Sequence, residues 1–417
     1  MLKFTGKEAK MMKYIFLFIV LLFMVSCKTE QAKPVTLEED IAFLANDSLQ
    51  GRETGTPEEL IAANYIQQRM QGIGLLPKGN AGTYFQTFTF KPKNDPHSDA
   101  QFVSGDGTIT GTNVIGYIDN KAEKTVIIGA HYDHLGLGGE GSLYAEGDAI
   151  HNGADDNASG VGIMLQLAER LKDSIKGSNY LFIGFSGEEM GLLGSNYFSK
   201  NPTVDFETAN YMINMDMVGR LREDKTLSIT GTGTAPIWNQ VLNSTNTDFK
   251  LVLGESGMGP SDHTSFYLQE IPALHFFTGQ HEDYHKPSDD AEKLNYKGME
   301  MIGNYIMAII SELDDDPKLS FRTTKNESEE VPRFKVGLGV MPDYLFDGEG
   351  MRIDGVTEDR PAYAAGLQKG DIVIQLGDST VVDMMSYMRA LSAFEEGSTA
   401  KVVVDRDGEK VEAEVKF

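Results

Sequence analysis

Apolar residues in this chain follow two patterns. Residues 125–130, 179–185, 211–216 and 271–277 are short, nearly continuous apolar runs, the pattern of strands buried on both faces. Between the runs lie stripes at helical spacing: Ala62, Ile66, Met70 and Ile73, then Val161, Met164, Leu165, Ala168 and Leu171. The first stripe has a defined start and stop. Thr56 and Pro57 supply a cap and a first-turn proline, Glu59 can reach back to the cap, and Gly72 and Gly74 precede Pro77. Residues 82–90 and 112–118 read as further strands and 91–104 as a polar loop. Strands alternating with helices predict an α/β domain with a mixed, largely parallel central sheet flanked by helices.

That domain is expected over residues 37–313. Residues 314–332 are rich in charge and poor in apolar side chains, which marks a linker. Beyond it, 333–417 carries short strand patterns at 335–340, 351–356, 372–376, 401–405 and 411–417, with one helix near 382–394, so a small β-rich domain is expected there.

The amino terminus is different in kind. Lysine-bearing residues 1–13 precede an apolar stretch at 14–25 that Ser26 and Cys27 close, the anatomy of a secretory signal over 1–26 followed by a tether over 27–36. Residues 24–27 (Met-Val-Ser-Cys) resemble a bacterial lipobox with Met where Leu is usual. The resemblance implies that Cys27 becomes the lipidated first residue of an exported protein held at the cell envelope by its lipid. The alternative is an ordinary cleaved signal with a free thiol. Cys27 is the chain's one cysteine, so no intramolecular disulfide and no cysteine-based zinc site is available. The net charge of −25 argues against nucleic acid and against an anionic lipid surface as partners, leaving the lipid anchor as the expected membrane contact.

Chemistry concentrates where the apolar runs end. His131, Asp133 and His134 follow the first run, Glu188 and Glu189 the second, Asp216 closes the third, and His281 and His285 lie in the loop after the fourth. The segment 152–160 (Asn-Gly-Ala-Asp-Asp-Asn-Ala-Ser-Gly) puts Asp155 and Asp156 at a strand-to-helix junction, where open α/β sheets bind ligands. Two imidazoles and three carboxylates, His131, Asp156, Glu189, Asp216 and His285, suit a pair of divalent ions sharing one carboxylate. Absence of thiolates leaves zinc favoured, with manganese or cobalt as alternatives.

In His131-Tyr-Asp-His134, the 153–160 segment, Gly187-Glu-Glu189, Asn214-Met-Asp216 and Tyr284-His285, taken in this order, the chain resembles the M28 family of zinc exopeptidases. The resemblance implies two zinc ions, with Asp156 bridging, His131 and Asp216 on one ion, and Glu189 and His285 on the other. It makes Glu188 the general base that takes a proton from water and returns it to the leaving amine, and the expected activity removal of N-terminal residues from peptides. Asp133, two residues after His131, is expected to accept a proton from the imidazole and fix its tautomer. Asp155 either touches metal or caps the helix. Asp262 and His263, in a segment that also resembles the family, contact substrate, support the ligands or structure a loop. His97, His134, His151, His275 and His281 read as structural or exposed, and Trp238 as core or pocket wall. The carboxy-terminal unit resembles a PDZ domain in residues 364–377 and in Gly337, Leu338, Gly339 and Val340, the loop that would receive a peptide carboxylate. Such a unit would either bind a C-terminal peptide by strand addition or pack on the catalytic domain. Three rivals to an aminopeptidase remain: a binding protein without metals, a glutaminyl cyclase or carboxypeptidase on the same scaffold, and a PDZ-led scaffold.

Overall fold

The four apolar runs are neighbours in one sheet. The computed structural model describes residues 35–92, 101–139, 141–325, 335–343, 345–346, 348–357 and 360–417. The signal, Cys27, most of the tether, His97 and residues 326–332 of the expected linker lie outside these. Strands β1 (Leu76–Pro77), β2 (Phe85–Phe90), β3 (Ile109–Ile118), β4 (Thr125–His131), β5 (Asn179–Phe185), β6 (Ala209–Met215), β7 (Thr226–Thr230), β8 (Lys250–Gly254) and β9 (Ala273–Phe277) form a sheet ordered β1-β3-β5-β4-β6-β9-β7-β8, with β2 also on β3. β5, β4, β6 and β9 run parallel, whereas β3 and β7 pair antiparallel with this block, so the sheet is mixed. Parallel strands bring their carboxyl ends to one edge, and all four chemical segments therefore meet there.

Alternation explains the uninterrupted apolar runs. Val126, Ile128 and Ala130 of β4 join one core with Tyr180, Phe182, Tyr211 and Ile213, while Ile127 joins the opposite core with Leu181, Ile183, Phe185 and Met212. Helices α1 (Leu37–Leu44), α2 (Pro57–Ile73), α3 (Gly160–Leu171), α5 (Trp238–Thr245) and α7 (Tyr296–Glu312) supply the first core; α4 (Leu193–Lys200) and α6 (His263–Tyr267) cover the second. The α2 stripe faces inward as its spacing predicts, with Thr56 Oγ1 accepting from Glu59 N (3.2 Å) and Gly74 left-handed at the end. Glu59 does not reach the cap. Its carboxylate accepts from Gly55 N at 2.7 Å and is buried. Trp238 belongs to the core, donating Nε1 to Thr234 Oγ1 (3.1 Å).

The carboxy-terminal sheet runs β10 (Val340–Pro342), β11 (Met351–Val356), β12 (Ile372–Leu376), β14 (Thr399–Arg406) and β15 (Glu409–Lys416), with β13 (Ser379–Thr380) on β12. All pairings are antiparallel. Helix α9 (Met384–Leu391), which follows the short α8 (Pro361–Ala364), packs Tyr387, Ala390 and Leu391 on Val373, Val402, Val404 and Val415. Residues 335–339 are loop, because the strand starts only at Val340. β10 forms an edge of the sheet.

Residues 37–417 cluster as one unit. The described part of the expected linker lies along the first domain. Leu319 N donates to Asn210 Oδ1 (2.7 Å), Arg322 N to Thr234 O (2.8 Å), and Phe321 packs on Tyr267. Its few apolar residues suffice for this because the backbone supplies the remaining bonds. The second domain meets the first through Arg222, paired with Asp343 (3.3 Å) and Asp354 (3.3 Å). Among the described residues no helix is long and apolar enough to cross a membrane.

Candidate metal centre

Each chemical segment reaches the sheet edge by a different local device. β4 ends at His131. Before α3 the chain turns sharply at Gly153, which is left-handed (φ 55°); a Cβ there would lie 2.2 Å from Asp156 O and 2.5 Å from the His134 ring, so only glycine fits. Asn157 fastens the turn: its Nδ2 donates to Met215 O (2.9 Å) at the end of β6, and its Oδ1 accepts from Gly160 N (3.0 Å). Asp156 is thereby held over the space between β4 and β6.

Asp156 presents one oxygen to each side. Its Oδ1 lies 3.3 Å from His131 Nε2 and its Oδ2 3.2 Å from His285 Nε2. On the first side Asp216 Oδ1 is 3.4 Å from His131 Nε2, and Glu188 Oε2 stands 3.9 Å away. On the second, Glu189 Oε2 is 3.4 Å from His285 Nε2. The five residues expected as ligands and the expected base are thus brought together. Both imidazoles are oriented from behind: His131 Nδ1 donates to Asp133 O (3.3 Å) and His285 Nδ1 to Gly141 O (2.7 Å), which turns each Nε2 toward Asp156.

Four carboxylates, Asp156, Glu188, Glu189 and Asp216, crowd this space. Burial opposes charge on both imidazoles, yet neighbouring carboxylates win: Glu188 and Asp216 hold the His131 imidazolium well above its usual range, and Glu189 with Asp156 lifts His285 to about 11. Burial likewise disfavours charge on Glu189, but His285 and His134 hold its carboxyl down to about 2. Asp156 is held well below the usual range by His131 and His285. Glu188 goes the other way, pushed well up by burial and by the charges of Asp216, Glu189 and Asp262. So dense a cluster of acids, Asp156 buried and the other three largely shielded from solvent, calls for cationic charge. Imidazole and carboxylate donors without a thiolate fit zinc, and two groups among the described residues, His131 with Glu188 and Asp216, and His134 with Asp156 and Glu189, could each hold a cation.

Several expectations are revised by the geometry. Asp133 Oδ1 is 3.7 Å from His131 Nδ1, beyond a hydrogen bond; the carboxylate instead accepts from Glu188 N (3.1 Å) and Thr54 Oγ1 (3.0 Å). Strand alternation does not extend past His131, where β4 stops, so Asp133 braces the Glu188 turn. Asp155 neither caps α3 nor reaches the cluster of donors: its Oδ1 accepts from Gly219 N (2.6 Å) and its Oδ2 pairs with His281 Nε2 (3.1 Å). His134 is no bystander. Its Nδ1 donates to Glu189 Oε1 (2.7 Å), its Nε2 is buried without a partner, and with Asp156 and Glu189 it forms a group able to hold a cation. Asp262 is buried beside Glu188 and pushed up to about 7 by burial. His263 stacks on His275 (4.6 Å) and is kept neutral by burial, a core position.

Pattern reading overlooked two supports. Arg52, 1% exposed, donates to Tyr132 O (2.7 Å), Leu44 O (2.7 Å), Asn152 O and Gly153 O (3.0 Å). Asp289 Oδ2 accepts from the backbone of Asp155 (2.9 Å) and Asp156 (3.1 Å). Arg52 reaches Tyr132, 80 residues on, and Gly153, 101 residues on, and Asp289 acts across 133 and 134 residues, which no local spacing reveals. In the second domain Leu338 O accepts from Ala362 N (2.8 Å) and Gly339 O from Thr357 N (2.9 Å), setting Gly337, Leu338, Gly339 and Val340 at the start of the edge strand.

Residues 113–310 match the sequence model of peptidase family M28, and residues 317–417 that of the PDZ domain. The chain is 27% identical over 239 residues to aminopeptidase YwaD of Bacillus subtilis, covering 53% of this chain and 50% of that one. It spans about half the length of the first curated relatives it matches. Its fold is similar to that of BSAP, a zinc aminopeptidase from Bacillus subtilis (TM-score 0.52, 18% identity, 69% of this chain and 96% of that one). It is as similar to Porphyromonas gingivalis glutaminyl cyclase (TM-score 0.53, 19% identity, 66% and 97%). The chain thus carries a domain that matches peptidase family M28 followed by one that matches the PDZ domain.

Proposed function

We propose that the first domain is a two-zinc aminopeptidase that hydrolyses N-terminal residues from peptides. In this reading His131, Asp156 and Asp216 hold one ion, Asp156, Glu189 and His285 the other, and Glu188 is the general base. The observation that carries it is Asp156, with one oxygen 3.3 Å from His131 and the other 3.2 Å from His285. Zinc supplies Lewis acidity there, polarising a carbonyl and making water a nucleophile near neutral pH. Glu188, 3.9 Å from His131 Nε2, accepts the proton of the attacking water and passes it to the leaving amine. Asp133 fixes the Glu188 backbone for this work. The name of the Bacillus subtilis relative supports an amine-terminal exopeptidase. The PDZ domain, with β10 at its sheet edge, is proposed to dock the C-terminal segment of a peptide substrate or partner. Export and a lipid anchor at Cys27 are proposed from the signal-like sequence of residues 1–27.

The test assays zinc-loaded residues 28–417 on leucyl peptides with a free or an N-acetylated amine. Expected are cleavage of the free-amine peptides alone, loss on chelation, and loss of about 10²- to 10⁴-fold in Glu188→Gln with zinc retained. Ammonia release from glutaminyl peptides without hydrolysis of leucyl peptides would favour cyclisation, the activity named for the Porphyromonas gingivalis protein of similar fold. Removal of C-terminal residues from acetylated peptides would favour a carboxypeptidase.

A further inference from the structure

Beside Glu189 and His134 opens a cavity of about 380 Å³. Phe90, Ile109, Leu135, Met190 and Leu193 wall it with apolar surface, and Glu53 stands among them. Both flanks of the cavity belong to segments that carry the metal centre. One is the chain just after Glu189; the other carries Leu135, Gly138 and Gly141, whose O orients His285.

The turn carrying Glu53 is fixed at every neighbouring position. Gly51 O accepts from Gly136 N (3.1 Å), and Gly51 has a left-handed φ of 74° with no room for a Cβ, which would lie 2.4 Å from Gly136 O. Arg52 is locked to four carbonyls, and Thr54 Oγ1 donates to Asp133 Oδ2. Arg52 and Thr54 thus face the framework of the centre, while the Glu53 side chain lines the cavity. Among the described residues no cation pairs with this carboxylate. A half-buried acid on a rigid turn, set among apolar walls away from the Asp133, His134 and Glu189 end of the cavity and without a counter-charge among the described residues, is complementary to one kind of guest: an aliphatic stem ending in a positive charge. A leucine side chain would fill the walls but leave Glu53 desolvated, and an acidic one would be repelled. The chain's net charge of −25 also favours the approach of cationic peptides.

We propose that this cavity receives the side chain of a substrate residue flanking the cleaved bond, and that Glu53 selects lysine or arginine there. The stem packs on Phe90, Ile109 and Met190, and the charged head pairs with Glu53. This specificity rests on the aminopeptidase reading.

The test uses zinc-loaded residues 28–417 and tripeptides differing only in the charged head: Lys-Ala-Ala against norleucyl-Ala-Ala, and Ala-Lys-Ala against Ala-norleucyl-Ala. At one of the two positions kcat/KM is expected to favour lysine by about tenfold. Glu53→Gln should bring that ratio toward one, and Glu53→Lys should invert it in favour of a glutamyl peptide. A norleucine preference at both positions, or a lysine preference that survives Glu53→Gln, overturns the proposal. Calorimetric binding of the same peptides to zinc-loaded Glu188→Gln separates this from the catalytic reading. Lysine-selective binding that depends on Glu53, where the zinc-loaded wild type turns over no peptide, would sink the aminopeptidase and keep the pocket; equal affinities for lysine and norleucine would sink the pocket whatever the turnover.

Discussion

Arg52→Met removes the guanidinium that ties three parts of the centre together: the end of α1 at Leu44, the exit of β4 at Tyr132 between His131 and Asp133, and the approach to Asp156 at Asn152 and Gly153. Burial pulls the Arg52 guanidinium down to about 10, so it remains charged at neutral pH. Each bond from a charged donor contributes roughly 1.5–3 kcal/mol, and the four carbonyls left behind are buried. Set against this is the desolvation cost of the guanidinium, which the substitution relieves. The net expectation is a loss of about 3–5 kcal/mol, the usual result of breaking a buried charged network from one side. Against a typical domain stability of about 5–15 kcal/mol the protein still folds. Urea unfolding of the metal-free chain should show a lower midpoint with an unchanged slope. Zinc affinity should fall about 10- to 100-fold, because Tyr132 and Gly153 neighbour His131 and the Asp156 turn. Arg52→Lys should recover little, since a single ammonium cannot point along all four directions. Unfolding within about 0.5 kcal/mol of the wild type, with zinc affinity intact, would refute the clamp; changes that small are typical of surface positions.

Burial pushes Glu59 up to about 7 against donors from Ser186, Gly55 and Tyr132. The folded state therefore binds this proton more tightly than the unfolded chain, and the associated stability is full below about 4.5 and lost as pH rises through about 7, roughly 3 kcal/mol by pH 8. Glu59→Gln should flatten the decline between pH 5 and pH 8 in urea titrations; an unchanged slope would show that another group is responsible. Arg222 pairs with Asp343 and Asp354 across the two domains and is partly exposed, so a double-mutant cycle of Arg222→Ala and Asp343→Ala in thermal unfolding should give a coupling of about 1 kcal/mol. No coupling would mean that the charges do not hold the domains together. Chelation of the zinc-loaded chain should lower its melting temperature, since an ion bound to the folded state alone stabilises it; an unchanged melting temperature would count against an ion held by the buried carboxylates.

Much of the site could be read before its geometry was known, for a physical reason. Strands buried on both faces are apolar throughout, so β4, β5, β6 and β9 announce themselves, and polar residues at their ends have one place to go. β7 and β8 lack that signature: β8 is half-exposed at the sheet edge. The same limit hides Arg52 and Asp289, whose partners are distant in sequence. It also misplaces Asp133, because alternation holds only while the strand continues and β4 ends at His131. His134 closes the motif that His131 opens, and only the turn after β4 reveals that its ring points at Glu189. Residues 318–324 looked like linker by composition because backbone hydrogen bonds, which leave no trace in side-chain pattern, hold them to the first domain.

The central claim is a two-ion centre bridged by Asp156, and a calorimetric zinc titration of the metal-free chain tests it most directly. The account predicts two ions per wild-type chain, one in His285→Ala, and no tight binding in Asp156→Ala. A single ion in the wild type, bound as tightly after His285→Ala, would contradict it.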